Sequence, residues 1–397
     1  MTANSSDEQS KSSLLARLGI RLAINASGNY SDLGGSRYSP HVLAEIAAVN
    51  RNFLRMHELL EKSGRHIANL FHAENAHITP GVAAALMLGT AACMVKADPT
   101  KSEQLPDTTG LKSEVLIQSG HRQMFDHQVR MSGARLLEVG SPAGVSKDLF
   151  EGAFSERTAM VLHPAHLDGK NGTLSLDEVS KIARRHDVPV FVDAAFMSKV
   201  PENMPTFLDR GGDLVAFSAK YFGGPNAGGF VMGRGDLISV ISKIHFTQYE
   251  DGHLKFGRPL KMDRQTVVAV VTALEDWLGT DHNARLSRYR RLATELKRKL
   301  QGAPGVVLSP MYFANYETFV PEPVNCLLIE IDQAIAAKSA AEVVKGLETG
   351  SPSIIAVLDG SRLAVVMDVI SDEELNVVAD KLQELLGVPR NRSRADA

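Results

Sequence analysis

The chain reads Val188-Pro189-Val190-Phe191-Val192-Asp193-Ala194-Ala195 at its centre and, a little further on, Asp213-Leu214-Val215-Ala216-Phe217-Ser218-Ala219-Lys220-Tyr221-Phe222-Gly223-Gly224-Pro225. Each stretch opens with a short apolar run that is typical of a buried strand. The first run ends on an aspartate, and the second ends on a serine and a lysine with two glycines behind them. In α/β proteins, ligands bind beyond the carboxyl ends of such strands. The pattern therefore predicts a ligand site that carries Asp193 and Lys220.

An acid and a lysine at strand ends are the pair that a pyridoxal-phosphate (PLP) enzyme needs. The lysine amine bonds to the cofactor's aldehyde as a Schiff base, and the carboxylate keeps the pyridine nitrogen protonated so that the ring accepts electrons. The Gly-Gly-Pro that follows Lys220 predicts a tight turn that buries the amine. The alternatives are a surface lysine at 220, a cofactor role for Lys199 instead, and an ordinary helix N-cap at Asp193.

A second motif, Thr79-Pro80-Gly81, opens a helix of small residues. Backbone N–H groups at such a helix start can hold a phosphate. We therefore predict that Gly81, Val82 and Ala83 bind the cofactor's phosphate and that the hydroxyl of Ser218 adds a further contact. The alternatives are a plain helix start after a glycine turn and a plain turn at the end of the strand.

Three further side chains are candidates for contact with cofactor or substrate. His121, in Gly120-His121-Arg122 after a predicted strand, is placed to stack on the cofactor ring. Arg258 and Arg37 are candidates for binding an anionic group of the substrate, because guanidinium groups pair with carboxylates and phosphates through two parallel hydrogen bonds. A structural histidine and two salt-bridged surface arginines are the alternatives.

Outward from these motifs, strand-like and helix-like segments alternate along the chain. Apolar residues at helical spacing predict one helix over residues 41–71. Ser175, with Glu178 three residues later, has the signature of a capped helix start. The alternation predicts an α/β fold with a large, mostly parallel sheet.

A change of composition after Arg264 predicts a second, smaller domain. A strand-like run, Cys326–Ile331, precedes helical patterns and two short strands near Ile354 and Leu363, which is an order typical of an α+β unit. The predicted parts are a polar tail at residues 1–20, a large PLP-binding domain at 21–264 whose first segment contributes to the site, linking helices with a small C-terminal α+β domain at 265–388, and a disordered tail at 389–397.

The composition is that of an ordinary soluble enzyme. The chain has 397 residues, 44% of them apolar and 22% charged, and a formal net charge of -3, which argues against nucleic-acid binding through bulk charge. Cys93 and Cys326 lack metal-ligand spacing, so we predict no metal site, no disulfide framework and a reducing compartment. No signal peptide or spanning stretch is seen, and we expect a cytoplasmic protein with a small-molecule substrate and no membrane partner.

Together, these motifs make the chain resemble fold-type I PLP enzymes of the selenocysteine synthase (L-seryl-tRNA selenium transferase)-like group, and within it the D-glucosaminate-6-phosphate ammonia-lyase-like branch. The resemblance runs from about residue 20 to 388. The matching segments are Ile24-Asn25-Ala26-Ser27-Gly28, Arg65-His66-Ile67-Ala68, Thr79-Pro80-Gly81-Val82-Ala83-Ala84-Ala85-Leu86, Gly120-His121-Arg122, Val192-Asp193-Ala194-Ala195, Phe217-Ser218-Ala219-Lys220, Gly223-Gly224-Pro225 and Gly257-Arg258-Pro259-Leu260-Lys261.

The chain departs from this group at two points. One residue, Ala219, separates Ser218 from Lys220, where the family usually has two. Members of the group that act on tRNA carry an additional N-terminal domain, which this sequence does not show. We therefore expect no selenium transfer and no tRNA partner.

The resemblance implies a PLP-dependent lyase of the ammonia-lyase type. Such an enzyme removes the α-proton of a small amino acid or amino sugar acid, phosphorylated or not, eliminates a β-substituent and releases a keto acid and ammonia. The resemblance also implies a homodimer or higher homo-oligomer. A racemase or epimerase, an aldolase and a β-replacement transferase are alternatives that use the same cofactor, and a non-catalytic paralogue is the last alternative.

Overall fold

The computed structural model describes residues 14–170, 172–247, 252, 255–312 and 324–388. The predicted tail at 389–397 and most of the predicted tail at 1–20 lie outside these residues. The described strands are β1 Ala23–Ala26, β2 Asn75–Thr79, β3 Glu114–Gln118, β4 Arg135–Val139, β5 Thr158–Pro164, β6 Val190–Asp193, β7 Leu214–Ser218, β8 Gly229–Gly233, β9 Val306–Met311, β10 Cys326–Ile331, β11 Ser353–Asp359 and β12 Arg362–Val366. The described α-helices are α1 Leu14–Arg17, α2 Pro40–Asn50, α3 Met56–Phe71, α4 Val82–Val95, α5 His127–Met131, α6 Lys147–Glu151, α7 Leu176–Arg185, α8 Thr206–Asp209, α9 Gly235–Ile244, α10 Arg264–Leu278, α11 His282–Leu300, α12 Ala340–Thr349 and α13 Asp372–Leu386.

The chain folds into two compact units. The larger one spans residues 34–280, and the smaller one combines residues 14–33, 281–312 and 324–388. The boundaries of these units differ from the domain boundaries that the sequence analysis gave. The reason is that α10 packs on α2 within the larger unit, whereas β1 joins the sheet of the smaller one.

The larger unit is built on a seven-stranded sheet with the order β2-β8-β7-β6-β5-β3-β4. Strand β8 runs antiparallel to both of its neighbours, and the other adjacent strands are parallel. The predicted α/β fold with a mostly parallel sheet is confirmed. Because parallel strands end at the same edge, the residues that follow β3, β5, β6 and β7 are brought to one side of the sheet.

Helix α4 packs tightly on this sheet. Its sequence is apolar nearly all round, and most of its residues are buried. Gly89 lies against the Phe191 ring so closely that an added Cβ would be 2.3 Å from a ring carbon. The small residues of α4 therefore allow a close approach to β6, which fixes the position of the helix start at Gly81.

Of the two helix predictions made from the sequence, one is confirmed and the other is wrong. The capped start of α7 is confirmed, since Ser175 and Glu178 form a reciprocal capping box. The single helix over residues 41–71 is wrong, because α2 ends at Asn50 and α3 begins at Met56. Apolar periodicity continued across the break, so it did not reveal the interruption.

The smaller unit contains a five-stranded sheet with the order β1-β11-β12-β10-β9. Strand β1 pairs with β11 in parallel, and the remaining pairs are antiparallel. Apolar side chains of α11, α12 and α13 are buried with this sheet in one core. Across the described ranges, no helix has both the length and the apolar character needed to cross a membrane.

Candidate active site

The strand register brings the predicted cofactor residues to one edge of the large sheet. Asp193 ends β6 and lies beside Ala216 of β7. Ser218 ends β7 and lies beside Gly229, which on its other side pairs with Thr79 at the end of β2. Neighbouring strands are about 4.8 Å apart. Asp193, Ser218 and the helix start that follows Thr79 therefore line one edge within a few strand spacings.

Asp193 is buried and interacts with neutral groups. Its Oδ1 accepts a hydrogen bond from the Ala195 backbone N–H at 3.2 Å, and its Oδ2 lies 3.4 Å from the side-chain amide of Gln123. Burial raises the pKa of Asp193 to about 6, and these two donors offset only part of that effect. The Oε1 atom of Gln123 is itself buried without a hydrogen-bond partner among the described residues.

These features test whether the edge suits PLP. A buried carboxylate without a cation beside it is costly, and a protonated pyridine nitrogen is a cation of the right size to relieve that cost. The unsatisfied Gln123 amide oxygen marks polar space next to the same carboxyl. The residues present therefore fit the pyridine end of the cofactor.

The start of α4 fits the phosphate end. Gly81 is the N-cap with φ 84° and ψ 173°, and no side chain caps the helix. A Cβ built on Gly81 would meet no atom within 4 Å, so there is open space next to this turn. Uncapped N–H groups of a first helical turn that face open space form an anion-binding site.

Gly229 supports this turn from below. A Cβ at Gly229 would lie 2.5 Å from the Phe217 carbonyl oxygen and 3.2 Å from the Gly81 Cα. We expect Gly229→Ala to displace the Gly81 turn and to weaken PLP binding roughly tenfold, because overpacking typically costs about 1–3 kcal/mol. The dissociation constant of PLP, measured by spectroscopic titration, checks this.

Gly279→Ala is the matched control for that substitution. Gly279 has φ -84°, and an added Cβ there would make only ordinary contacts at 3.4 Å and beyond. An equal loss of PLP affinity in both variants would show that the Gly229 contact is unimportant for the cofactor.

Lys220 lies in a short turn that follows β7. The 3₁₀ helix Ala219–Phe222 is closed by hydrogen bonds from Ala219 N–H to the Gly228 carbonyl and from Gly224 N–H to the Ala219 carbonyl. The lysine is half-buried, and its Nζ lies 5.0 Å from the centre of the Tyr221 ring. The tight turn predicted from Gly-Gly-Pro is present, although the lysine is less buried than that prediction implied.

A backbone contact joins the two decisive stretches. The Ser218 N–H donates to the Ala195 carbonyl at 2.9 Å, which holds the segment after Asp193 against the end of β7. Lys199, the alternative lysine, lies in a separate 3₁₀ turn, Met197–Lys199. The structure thus brings the segments of Asp193 and Lys220 together.

The loop that carries Arg37 is attached to the turn after Lys220. Ser36 Oγ donates to the Gly224 carbonyl at 3.0 Å, and a Cβ on Gly35 would come within 3.0 Å of the Asn226 side chain. Arg37 itself is exposed. This candidate is therefore anchored through its backbone next to the lysine turn, with its side chain at the surface.

Arg258 lies in a separate turn, Arg258–Leu260, which is fastened to the end of α9. The Gly257 N–H donates to the Ile244 carbonyl at 2.8 Å, and His245 Nε2 lies 3.1 Å from the Leu260 carbonyl oxygen. Like Arg37, Arg258 is exposed. Both arginines therefore stay candidates for the substrate's anionic group.

His121 follows β3 and is fully buried. Its Nε2 lies 3.0 Å from the Leu167 carbonyl oxygen, and its Nδ1 lies 3.4 Å from the Gln118 amide nitrogen. Burial, together with the nearby His163, lowers the pKa of His121 to about 3. His121 is thus a neutral, fixed ring, which suits a stacking role better than an acid–base role.

Sequence reasoning missed several groups of this edge. Gln123 touches Asp193, and His163 at the end of β5 makes an edge contact with the His121 ring at 4.8 Å between centroids. His163 could have been suspected, because it directly follows the apolar run Met160-Val161-Leu162. No sequence pattern singled out Gln123. In the part of the chain that the structure describes, no group of three or more His, Cys, Asp or Glu side chains is arranged to hold a metal ion.

The buried histidines make the fold sensitive to acid. Burial lowers the pKa of His121 to about 3 and those of His166 and His245 to about 4, and it holds the pKa of His77 well below its usual range. The unfolded chain takes up protons on these groups below pH of about 6.5, whereas the folded chain does not. Their contribution to stability is therefore complete above pH of about 6.5 and is lost as the pH falls toward 4. Two groups act in the opposite direction, Asp193, whose pKa burial raises, and His41, whose pKa its hydrogen bond to Asp276 raises, but they are two groups against four.

We accordingly expect the urea midpoint of the protein to fall steeply between pH 7 and pH 5. Each histidine contributes at most about 1.4 kcal/mol per pH unit. As a control, replacing the exposed His72 with asparagine, which tolerates its left-handed backbone, should leave the slope unchanged. A midpoint that is independent of pH in this range would contradict the assignment of neutral buried histidines.

The fold and the arrangement at this edge define a fold-type I PLP-dependent enzyme. Among solved structures, the chain resembles that of a D-glucosaminate-6-phosphate ammonia-lyase with a TM-score of 0.81 at 23% identity, covering 94% of this chain and 98% of that one. It also resembles a NifS-like protein with a TM-score of 0.56 at 15% identity, covering 92% and 100%. These likenesses establish the fold.

The sequence profile of the L-seryl-tRNA selenium transferase (SelA) family matches residues 54–304, so the chain belongs to that family. It is 30% identical over 267 residues to the D-glucosaminate-6-phosphate ammonia lyase of Salmonella typhimurium, covering 66% of this chain and 69% of the relative. It is 26% identical over 383 residues to a 5'-C-glycyluridine monooxygenase-decarboxylase of Streptomyces, covering 93% and 91%. The expected family, fold type and cofactor are confirmed.

Proposed function

We propose that this PLP-dependent enzyme is an ammonia lyase for a small, anionic amino acid of the amino-sugar-acid kind, and that the edge described above is its active site. The observation that carries the proposal is the buried carboxyl of Asp193, which is joined through its own segment to the lysine-bearing turn. The similarity to a D-glucosaminate-6-phosphate ammonia lyase supports the choice of substrate class.

In this proposal, five groups hold the cofactor, and one of them is the amine of Lys220, which anchors its aldehyde end. Asp193 pairs with the pyridine nitrogen, the start of α4 from Gly81 to Ala83 and the Ser218 hydroxyl hold the phosphate, and His121 packs on the ring. Bound PLP supplies an electron sink that stabilises negative charge on the α-carbon of an amino acid.

The chain's own residues then carry the proton transfers. Lys220, once its amine is free, removes the α-proton of the substrate as general base. A hydroxyl leaves the β-carbon and takes up a proton, so that water is lost, and hydrolysis of the resulting enamine gives a keto acid and ammonia. Arg37 or Arg258 binds the anionic end of the substrate through paired hydrogen bonds.

The test is an assay of the PLP-loaded enzyme with D-glucosaminate-6-phosphate, its unphosphorylated form and simple D- and L-amino acids. We expect equal amounts of keto acid and ammonia, with the phosphorylated substrate preferred. Carbon dioxide release with oxygen uptake, as the name of the Streptomyces relative suggests for that protein, would point to a decarboxylase instead. Exchange of the α-proton without keto acid would rule out the lyase.

We further propose that the protein is a cytoplasmic homodimer with the PLP-binding role in its larger unit. A dimer is supported by apolar side chains on the surface of that unit, of which Phe53 is 96% exposed and Leu43 is 53% exposed. Replacing both with serine is expected to shift the sedimentation coefficient toward that of the monomer. An active wild-type monomer would refute the dimer.

A further inference from the structure

The His121 ring is held at both nitrogens. A carbonyl oxygen only accepts hydrogen bonds, so the 3.0 Å contact with Leu167 requires that His121 carries its proton on Nε2. The side-chain amide of Gln118 then donates to the bare Nδ1 at 3.4 Å. His121 is therefore fixed in one neutral tautomer by Leu167 and Gln118.

The Leu167 carbonyl also accepts hydrogen bonds from the Lys170 N–H at 3.2 Å and from Thr173 Oγ1 at 3.4 Å, and the next residue, Asp168, is fixed by its side chain. The Oδ1 atom of Asp168 accepts the Leu176 N–H at 2.7 Å and lies 3.2 Å from His163 Nε2, while its Oδ2 lies 2.6 Å from the Arg210 guanidinium. Burial alone would raise the pKa of Asp168, but these donors outweigh burial and hold it well below its usual range. Asp168 is thus an anion with donors on both oxygens.

His163 completes the support of the His121 ring. Its ring stands at 89° to that of His121, and its Nε2 is tied to Asp168. Its Nδ1 is buried and has no hydrogen-bond partner in the described part of the chain. The contact with Asp168 is therefore the hydrogen bond that sets the orientation of the His163 ring.

Gln118 fastens the other side of the same loop. Its Oε1 accepts the Leu174 N–H at 2.6 Å, and its amide donates to the Leu174 carbonyl at 3.0 Å. The connection between β5 and α7 is thus held at Leu174 by Gln118 and at Asp168 by Arg210 and His163. Both fixed points are connected to His121, Leu174 through Gln118 and Asp168 through His163 and Leu167.

We propose that Asp168 is a positioning residue of this enzyme, which fixes the His163 ring and the Leu167 carbonyl and so holds His121 in a single tautomer and orientation. The inference rests on the proposed function at one point, the placement of His121 against the cofactor ring. It assigns to Asp168 a role that acts through charge, because only a carboxylate accepts from Arg210, His163 and the Leu176 N–H at the same time.

The test is a comparison of Asp168→Asn with Asp177→Asn. Asp177 lies 2.8 Å from the same Arg210 and is 47% exposed. The hydrogen bonds from His163 and from the Leu176 N–H go to Asp168 and not to the Asp177 carboxylate, so Asp177 controls for the loss of one charge beside the same arginine. In the PLP-loaded wild type and in Asp177→Asn, ¹⁵N-histidine NMR should show His121 as one Nε2-protonated tautomer. In Asp168→Asn, we expect both tautomers or a second ring signal.

A second readout tests whether the contacts that run from Asp168 to His121 affect the bound cofactor. We expect the visible circular dichroism of bound PLP to fall in Asp168→Asn and in His121→Ala. We also expect kcat to fall by about tenfold in Asp168→Asn with little change in KM, which is the lower end of the roughly 10- to 100-fold loss seen when a group that orients a metal-binding histidine is removed. Asp177→Asn should keep wild-type values of all three quantities.

A single, unchanged His121 tautomer in Asp168→Asn would overturn the positioning role. Should that variant fail to fold, His163→Gln removes the supporting ring and leaves Asp168 paired with Arg210, and an unchanged His121 signal there would overturn the proposal equally. Unchanged circular dichroism in His121→Ala would instead refute the placement of His121 at the cofactor, which belongs to the proposed function, and it would leave the NMR result on Asp168 intact.

Discussion

Replacing Lys220 with alanine is expected to lower kcat roughly 10³-fold or more, which corresponds to about 4 kcal/mol of lost transition-state stabilisation. In the proposed site this amine both anchors PLP and removes the α-proton, so one substitution removes two functions. The visible absorption band that PLP shows when bonded to a lysine amine should disappear from the purified variant. Steady-state rates and the absorption spectrum together measure the effect.

Lys199→Ala is the matched control. Lys199 is also half-buried and follows the same aspartate, but it lies in its own turn, Met197–Lys199. It should keep both the absorption band and the activity. If Lys199→Ala lost the band while Lys220→Ala kept it, the assignment of the two lysines would have to be exchanged.

The second large effect is expected at Asp193. In the proposed site, Asp193→Asn removes the anion that pairs with the pyridine nitrogen, and breaking a buried ion pair costs about 3–5 kcal/mol. We therefore expect PLP affinity and kcat/KM to fall by a combined factor of roughly 10² to 10⁴. Titration with PLP and steady-state kinetics measure the two parts.

The same substitution should stabilise the protein without PLP. Since burial raises the pKa of Asp193 to about 6, the ionised carboxyl is unfavourable in the fold above that pH, and the penalty vanishes as the pH falls below it. At about 1.4 kcal/mol per pH unit between the ordinary carboxyl pKa and 6, the gain of Asp193→Asn at pH 7 is about 3 kcal/mol.

A stability gain without PLP and an affinity loss with it is a combination that general damage to the fold does not produce. Asp209→Asn, at an exposed position of α8, should change neither quantity. If Asp193→Asn destabilised the PLP-free protein, the carboxyl would have a favourable partner there, and its assignment to the pyridine nitrogen would fail.

How much of the site the sequence predicts depends on where each residue stands in its element. Asp193 and Lys220 follow buried apolar strands, and parallel topology brings such ends together, so a local pattern was enough to find them. Gln123 reaches Asp193 across 70 positions, and Asp168 acts through loop contacts. Neither contact leaves a local pattern, because each depends on how distant segments pack.

The strands differ in the same way, since some have a local sequence pattern and others depend on a distant partner. The strands of the smaller unit with strong apolar runs, such as β10, were predicted, whereas β1 was not. Strand β1 has four residues and pairs with β11, hundreds of positions later in the chain. Its sequence, Ala-Ile-Asn-Ala, lacks the continuous apolar run of β6, which is equally short, so β1 is defined by its partner and leaves single-sequence reasoning little to detect.

The direction of β8 has a consequence for how this site is assembled. Because β8 runs back from the edge at which β7 ends, the lysine turn lies inside a hairpin between sequence neighbours, with no helical crossover. Closing so short a loop costs little chain entropy, and contacts between near neighbours form early in folding. The Ala219 N–H donates to the Gly228 carbonyl within this hairpin. We therefore expect amide protection of Ala219 in refolding experiments before that of β3 and β4, which gives the lysine a rigid support before the rest of the edge is complete.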